Sequence, residues 1–267
     1  MTDKEYRIAY LKKHHINEKW AFPIFYNALK AQIKPVIEYV TKFGIVGLEN
    51  YPLSTEPIYK AFELTYQNIA KKEAKWEYYN VLKRPEQKSI SFFYEAWQRM
   101  ITDFILTNGG AKITGITETT REQIRYLIAV TTDQNMTAFE AAKYIVNEMM
   151  SKDFLFRRAL VIARTETTTA SNYGHLLTAE TLEILTEKKW IATEDNRTRR
   201  SHLIADGLKV AKDEKFEIGS SLMNAPGDAT APAKEVVNCR CVVRLVPVYD
   251  ANGLPVRKPV NLISVGA

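Results

Sequence analysis

The chain has 267 residues, of which 46% are hydrophobic and 25% are charged, as in ordinary soluble proteins with a sizeable core. No apolar run approaches the roughly 20 residues that cross a bilayer, so a membrane is not an expected partner. The polar N-terminus predicts no signal peptide, and neither internal repeats nor low-complexity segments are evident.

The net charge is +6 and the pI is about 9.1, which makes contact with a polyanion plausible. The basic residues are spread along the chain, so solvated helix faces are the alternative for any single one. Cys239 and Cys241 are the two cysteines. They are too few for a disulfide framework and poorly placed to pair with each other, which predicts reduced thiols made in a cytoplasm.

Residues 1–112 read as a helical N-terminal region rich in aromatic side chains. Pro23 is expected near the start of an element, and Pro35 is expected to kink or break a helix. A later helix is expected to end at Asn108-Gly109-Gly110, because glycine is the usual residue just beyond a helix C-terminus.

The second predicted helix ends in "KKEAKWEYYNVLKR", which mixes basic and aromatic residues. Its lysines Lys71, Lys72 and Lys75 are candidate DNA contacts, since aromatic and cationic side chains together bind single strands. The alternative is an amphipathic helix whose aromatics pack and whose lysines face water. His14 and His15 lie in a polar segment and are expected at the surface.

Residues 113–153 are predicted to form a helical hairpin. Thr119-x-x-Glu122 and Thr137-x-x-Glu140 each have the spacing of a capping box, in which two orphan backbone donors are satisfied reciprocally. The sequence does not decide whether such a hairpin would be a docking unit or a spacer.

Residues 154–185 form one long helical pattern. Glu166 lies on its apolar stripe, so burial would require a cationic or hydrogen-bonding partner. Arg164 lies about 200° around the helix from Glu166 and cannot pair with it side by side. Gly174 weakens the helix or lets another backbone approach closely. The stripe consists of Leu155, Ala159, Ile162, Ala170, Tyr173 and Leu177.

After residue 185 the pattern changes to short strands and loops. "KKWIAT" is a strand candidate, a brief helix is expected around residues 201–204, and "KEVVNCRCVVRLVPVYD" is the best strand of the chain. Residues 249–267 are a tail expected to be ordered only by docking. The predicted fold class is α+β, with a mainly helical N-terminal and central region and a small C-terminal α+β domain.

Four stretches in order resemble the phage Mu F-like minor head protein family, also called the SPP1 gene-7-like head morphogenesis family. They are "ARTETTTASNYG", "KKWIATEDNRTRRSHLIADGLKV", "FEIGSSLMNAPGD" and "NCRC", and they assign a Mu F-like domain to residues 154–248. The resemblance implies a tailed-bacteriophage virion protein at the portal vertex, active in head assembly. It implies the portal protein as partner, with viral DNA, capsid or scaffolding protein as further partners and DNA binding or genome ejection as further roles.

The two cysteines could contribute to a metal site. In a strand, Cys239 and Cys241 point to the same face, and His202 is the natural third ligand. Some members of the resembling family have Cys-x-x-Cys where this sequence has Arg199-x-x-His202, which implies a structural zinc clip with one ligand replaced. The fourth ligand would be water or one of the aspartates Asp195, Asp206 and Asp228.

The alternative is that no metal binds. The cysteines would then pack as small apolar residues, with His202 hydrogen-bonded nearby. The cofactor prediction is therefore none, or one structural zinc.

The arginines beside His202 have two interpretations. Arg199 and Arg200 are expected to face water or a partner and are candidate phosphate contacts. Arg197 or Arg240 is expected to neutralise Glu166, which would tie the long helix to the sheet.

An enzyme is the competing class of function. His202 with neighbouring arginines resembles the ingredients of a ribonuclease or an ADP-ribosyltransferase, and related domains occur fused to toxins. The sequence has no Ser-His-Asp order, no phosphate-cradling glycine loop and no His-Glu-x-x-His. A binding protein without catalytic residues is therefore the expected function, with a non-specific DNA-binding protein as another alternative.

Overall fold

The structure is a computed structural model that describes residues 1–83 and 91–259. The predicted fold class is confirmed: helices dominate, and small antiparallel sheets lie near the C-terminal end. The helices are α1 (Asp3–Phe43), α2 (Glu56–Leu82), α3 (Ser91–Phe104), α4 (Gly110–Asp133), α5 (Ala138–Met149), α6 (Lys152–Thr181), α7 (Arg200–Ile204) and α8 (Ala233–Val236). The strands are β1 (Thr186–Ile191), β2 (Lys209–Ala211), β3 (Phe216–Ile218), β4 (Ser221–Met223) and β5 (Val242–Pro247).

The C-terminal part contains a three-stranded sheet in the order β2-β1-β5 and a β3–β4 hairpin, all antiparallel. In the β1–β5 register, Trp190 is opposite Val243. The long predicted strand is shorter than expected, because helix α8 and a left-handed Asn238 (φ 59°) interrupt it before Val242. Cys239 and Cys241 therefore lie in the extended segment that leads into β5.

Helix α1 runs through both of its prolines, so the predicted start at Pro23 and the predicted break at Pro35 are wrong, while a kink at Pro35 stays a prediction. A proline removes the hydrogen bond to the carbonyl four residues earlier. Here those carbonyls belong to Lys19 and Ala31, which are exposed and can bond to water. Burial of the opposite face, including Phe25 and Ile33, holds the helix together.

The glycine pair also fails to end a helix. Residues Ile105–Gly109 form a π-helical turn that leads straight into α4, and Gly109 keeps a helical φ of −70° rather than the left-handed value of a cap. Thr119 is consequently in mid-helix, where its hydroxyl donates to the Gly115 carbonyl at 2.9 Å, and the capping box expected there is absent. The box at Thr137 and Glu140 is confirmed at the start of α5.

One hydrophobic core joins helices from both sides of the predicted region boundaries. Its members extend from Ala21 in α1 to Leu177 in α6. The division into regions at residues 112/113 and 153/154 stays a prediction. Part of the tail is tied to the fold, since Arg257 forms a β-bridge with Ile184, and residues 260–267 lie outside the described part.

None of the described helices is at once long and apolar enough to cross a membrane.

Helices α2 and α6 lie in close contact at Gly174. A Cβ at this position would lie 2.4 Å from the Ala70 carbonyl oxygen and 3.0 Å from the Ala74 backbone nitrogen. The predicted close approach of another backbone is therefore what the glycine permits. The hydroxyl of Thr178 reinforces the contact by donating to the Ala74 carbonyl at 2.7 Å.

We expect Gly174→Ala to destabilise the protein by about 3 kcal/mol, because neither backbone can move without disturbing the core. Gly115→Ala is the matched control: it lies on α4 with open space around a Cβ. That change should raise the free energy of unfolding by about 0.8 kcal/mol, because alanine has a higher helix propensity than glycine. Urea unfolding of both variants measures this, and equal effects would contradict the close packing.

Candidate functional site

The structure brings together the three residues that the sequence suggested as metal ligands. Nδ1 of His202, on α7, lies 3.5 Å from Sγ of Cys239 and 3.5 Å from Sγ of Cys241. The three ligand atoms all lie within 4.8 Å of one another. All three side chains are buried, with exposures of 1 to 2%.

Glu235 completes the surroundings of His202. Its Oε2 lies 3.1 Å from Nε2 of His202 and also accepts a hydrogen bond from the Ser201 hydroxyl at 3.2 Å. The indole of Trp190 packs edge-on against the imidazole, with ring centroids 5.2 Å apart. The sequence analysis missed Glu235, because only the short helix α8 turns this side chain towards α7.

The two thiols have opposite electrostatic characters. The hydrogen bond between the two sulfur atoms, with burial, raises the pKa of Cys239 well above its usual range. The same hydrogen bond, helped by the one to His202, lowers the pKa of Cys241 well below its usual range. The pocket thus favours sulfur in the thiolate form at Cys241.

Polar side chains of α6 hold the cysteine segment by its backbone. The amide of Asn172 donates to the Cys241 carbonyl at 3.1 Å and accepts from the Val243 N–H at 2.6 Å. The hydroxyl of Thr168 donates to the Cys239 carbonyl. We refer to Thr165, Thr168, Asn172 and His175 as the α6 polar face.

Thr165 and His175, the other two members of this face, also bond to the backbone of the segment that leads into β5 and of β5 itself. The hydroxyl of Thr165 accepts from the Asn238 N–H at 3.0 Å, and Nδ1 of His175 bonds to the Val243 carbonyl at 2.7 Å. These contacts place an extended segment along a helix without a strand between them. The sequence signal was the polar run "TETTTASN", which shares a helix with an apolar stripe.

His14 is not the surface residue expected from the sequence. Its exposure is 2%, and its Nε2 lies 2.9 Å from the Thr168 hydroxyl. The Thr168 hydroxyl uses its proton to donate to the Cys239 carbonyl, so it accepts a hydrogen bond from Nε2–H of His14. Burial lowers the pKa of His14 to about 4, although Glu18 opposes the shift. His15 is exposed, as expected.

Glu166 is buried, but its partners are not the arginines expected. Its carboxylate accepts from the Tyr66 hydroxyl at 2.7 Å and pairs with Lys112 at 3.0 Å. Glu166 faces α2 and α4, whereas Arg164, on the other side of α6, bonds to Glu18 at 2.9 Å and to Asn238 at 3.3 Å.

The two arginines predicted to bind Glu166 both contact Asp195 instead. Arg240 forms a bidentate salt bridge with the Asp195 carboxylate, with N–O distances of 2.6 and 2.9 Å. Arg197 is 64% exposed and lies 3.9 Å from the same carboxylate. The expected tie between Glu166 and the sheet is therefore wrong, because these arginines lie on the opposite side of α6 from it.

The candidate DNA contacts have varied surroundings. Lys71 donates to Gln98 at 3.2 Å, the ammonium of Lys72 lies 5.5 Å from the Trp20 ring, and Lys75 also has a partner. The last two candidates lie at the start of α7. Arg199 donates to the Val237 carbonyl, and Arg200 is exposed.

Comparison with known proteins assigns the family. The profile described as "Phage Mu protein F like protein" matches residues 94–244, more than half of the chain. The chain belongs to this family. The match includes α6, the α6 polar face and the His202–Cys239–Cys241 cluster.

Two curated proteins are similar to this family member. The NAD⁺–arginine ADP-ribosyltransferase EFV of Enterococcus faecalis is 37% identical over 125 residues, which are 45% of this chain and 24% of that protein. Minor head protein GP7 of Bacillus phage SPP1 is 30% identical over 147 residues, 54% of this chain and 47% of that protein. The chain thus spans about a quarter of the length of the transferase and about half of the length of the minor head protein. No solved structure matches.

In this Mu F-like protein we expect Lys112→Ala to cost about 3 kcal/mol of stability, because Glu166 would keep a buried charge without its cation. Lys60→Ala is the matched control: its pair with Glu56 has the same 3.0 Å length but side chains 70% and 61% exposed. That change should cost less than about 1 kcal/mol. Equal losses in urea unfolding would contradict a structural role for the Lys112 pair.

The buried His14 predicts a pH dependence of stability. Its pKa is about 4 in the fold, against an ordinary value of 6.5 in the unfolded chain, so the unfolded chain binds the proton more readily. The contribution is complete above pH 6.5 and is lost as the pH falls towards 4, by about 3 kcal/mol in all.

His14→Gln should remove this part of the pH dependence. His15→Gln, which changes an exposed neighbour, should keep it. Denaturant unfolding from pH 7 to pH 4 compares the three proteins, and a wild-type slope in the His14 variant would refute the assignment.

Proposed function

We propose that this chain is a head morphogenesis protein of a tailed bacteriophage, a minor component of the virion that binds the portal vertex. Membership of the Phage Mu protein F-like family carries the proposal, and the similarity to minor head protein GP7 supports it. The protein would be made in the host cytoplasm and act there during assembly. Contacts with capsid or scaffolding protein belong to the same proposal.

A cleft between α1 and the end of α5 is the proposed portal-binding surface. It has a volume of about 530 Å³ and is lined by Ala31, Ile37 and Met150, with Lys30, Lys34 and Glu38 among its polar residues. Met150 is 42% exposed. An apolar floor with a charged rim suits an amphipathic segment of a partner, and here that partner would be a portal subunit.

Contact with viral DNA is the second part of the proposal. The net charge of +6 favours approach to a polyanion. Arg200 is exposed and would meet phosphates directly, and Lys72 is exposed with its ammonium over the Trp20 ring. Lys71, Lys75 and Arg199 would have to exchange an existing partner. Such contacts would be independent of sequence and weakened by salt.

The relative named as an ADP-ribosyltransferase favours an enzyme as the second candidate function. The shared segment is 24% of that protein, so its named activity need not belong to the shared part. In this chain His202 is 1% exposed and directs its two nitrogens to Glu235 and the thiols, which leaves no nitrogen for a substrate. We therefore propose a binding role without catalysis.

The portal proposal is tested by capture of the purified chain on immobilised portal protein from the same phage, with nuclease present. We expect wild-type protein to be retained. Ala31→Glu should reduce retention at least about tenfold, since it places a charge on the apolar floor of the cleft. Ala111→Glu is the control, because it changes another exposed helical alanine that lies outside the cleft.

Retention that disappears with nuclease would support a DNA-binding protein without portal attachment. Equal retention of the two alanine variants would refute the cleft as the binding surface. Transfer of labelled ADP-ribose from NAD⁺ to arginine by the same folded preparation would support the enzyme instead.

A further inference from the structure

We propose that His202, Cys239 and Cys241 bind one structural zinc ion, with Glu235 orienting the histidine and a water molecule as the fourth ligand. This inference is independent of the proposed function, since it concerns how the C-terminal part is held together. It is carried by the geometry of four buried side chains and by the partners of the nearby aspartates.

The first argument is distance. Zinc binds sulfur at about 2.3 Å and imidazole nitrogen at about 2.0–2.1 Å, so tetrahedral coordination places nitrogen and sulfur about 3.6 Å apart. The two measured distances from His202 Nδ1 to the sulfur atoms are both 3.5 Å. An ion held between the three atoms accounts for both distances at once.

The second argument is the orientation of His202. Nε2 faces the carboxylate of Glu235 at 3.1 Å. A ring that carries its proton on Nε2 donates to this carboxylate and directs the Nδ1 lone pair at the two sulfur atoms, which is the form that a metal ion binds. A ligating histidine almost always donates its other nitrogen to a carboxylate, carbonyl or water in this way. The Ser201 hydroxyl fixes the same carboxylate oxygen at 3.2 Å.

The third argument concerns the fourth ligand. The aspartates that the sequence offered are bound elsewhere: Asp195 to Arg240 at 2.6 Å, Asp206 to Arg7 at 3.2 Å, and Asp228 to the Asn224 N–H at 2.6 Å. A small cavity of about 10 Å³ borders both cysteines and His202. That is about the space one water molecule needs, so water is the fourth ligand that fits.

Charge and protons balance at this site. As each zinc–sulfur bond forms, the S–H bond of that cysteine breaks and its proton goes to solvent. Two thiolates then neutralise the 2+ ion, and the imidazole binds as a neutral ligand. The ion would join α7 to the segment before β5, where no other covalent link exists among the described residues.

The test uses the full chain, purified under reducing conditions without added metal. Elemental analysis should find about one zinc per chain. After removal of the metal by a chelator, titration with Co²⁺ should saturate near one ion per chain and give thiolate-to-cobalt absorbance. Cys241→Ser should lose that absorbance, and Glu235→Gln should weaken Co²⁺ binding about 10- to 100-fold.

Glu217→Gln is the control for the last variant, since Glu217 is an exposed glutamate on β3 and should bind Co²⁺ as wild type does. The proposal is overturned if the folded wild-type protein contains far less than one zinc and takes up no Co²⁺ with thiolate absorbance. If Cys241→Ser fails to fold, the wild-type titration still decides. An effect of Glu217→Gln equal to that of Glu235→Gln would overturn the role of Glu235.

Discussion

The C-terminal part of the fold depends on hydrogen bonds from α6 side chains to the backbone of the segment that leads into β5. One edge of β5 pairs with β1. On its other side, Asn172 supplies both an acceptor and a donor and so replaces a neighbouring strand for Cys241 and Val243. A buried backbone group without a partner costs about as much as a lost hydrogen bond, so these contacts fix the position of the segment along the helix.

This constraint determines what the cysteines can do. Because their carbonyls bond to α6, the side chains of Cys239 and Cys241 are free to meet His202 of α7. The short helix α8 places Glu235 behind the imidazole from the same connection. Polar atoms of the backbone thus bind α6, while the sulfur atoms face His202 on the short helix α7. A metal ion at this point would link α7 to the segment that leads into β5.

The sequence was informative where a property is local. The inward position of Glu166 follows from the period of one helix. The close approach at Gly174 is one of the two interpretations that a glycine within a helix allows. The two cysteines meet His202 although they lie just before β5 and not within it. The partner of a buried polar side chain could not be predicted from the sequence in the same way. Lys112 reaches Glu166 only because α4 begins at Gly110, and the glycines there read as a helix end. Burial also overrode local preference at Pro23 and Pro35, since the core on one face of α1 outweighs two lost hydrogen bonds on the other.

Helix α1 lies outside the segment that matches the family, yet it supplies partners for groups inside that segment. His14 donates to Thr168, Glu18 pairs with Arg164, and Asp3 pairs with Arg244 at 2.7 Å. Two of these groups contact α6 on the side that holds the cysteine segment. Without α1, the hydroxyl of Thr168 would lose its donor and Arg164 its carboxylate, on the side of α6 that contacts the cysteine segment. The N-terminal helix therefore helps to position the candidate metal ligands, although it carries none of them.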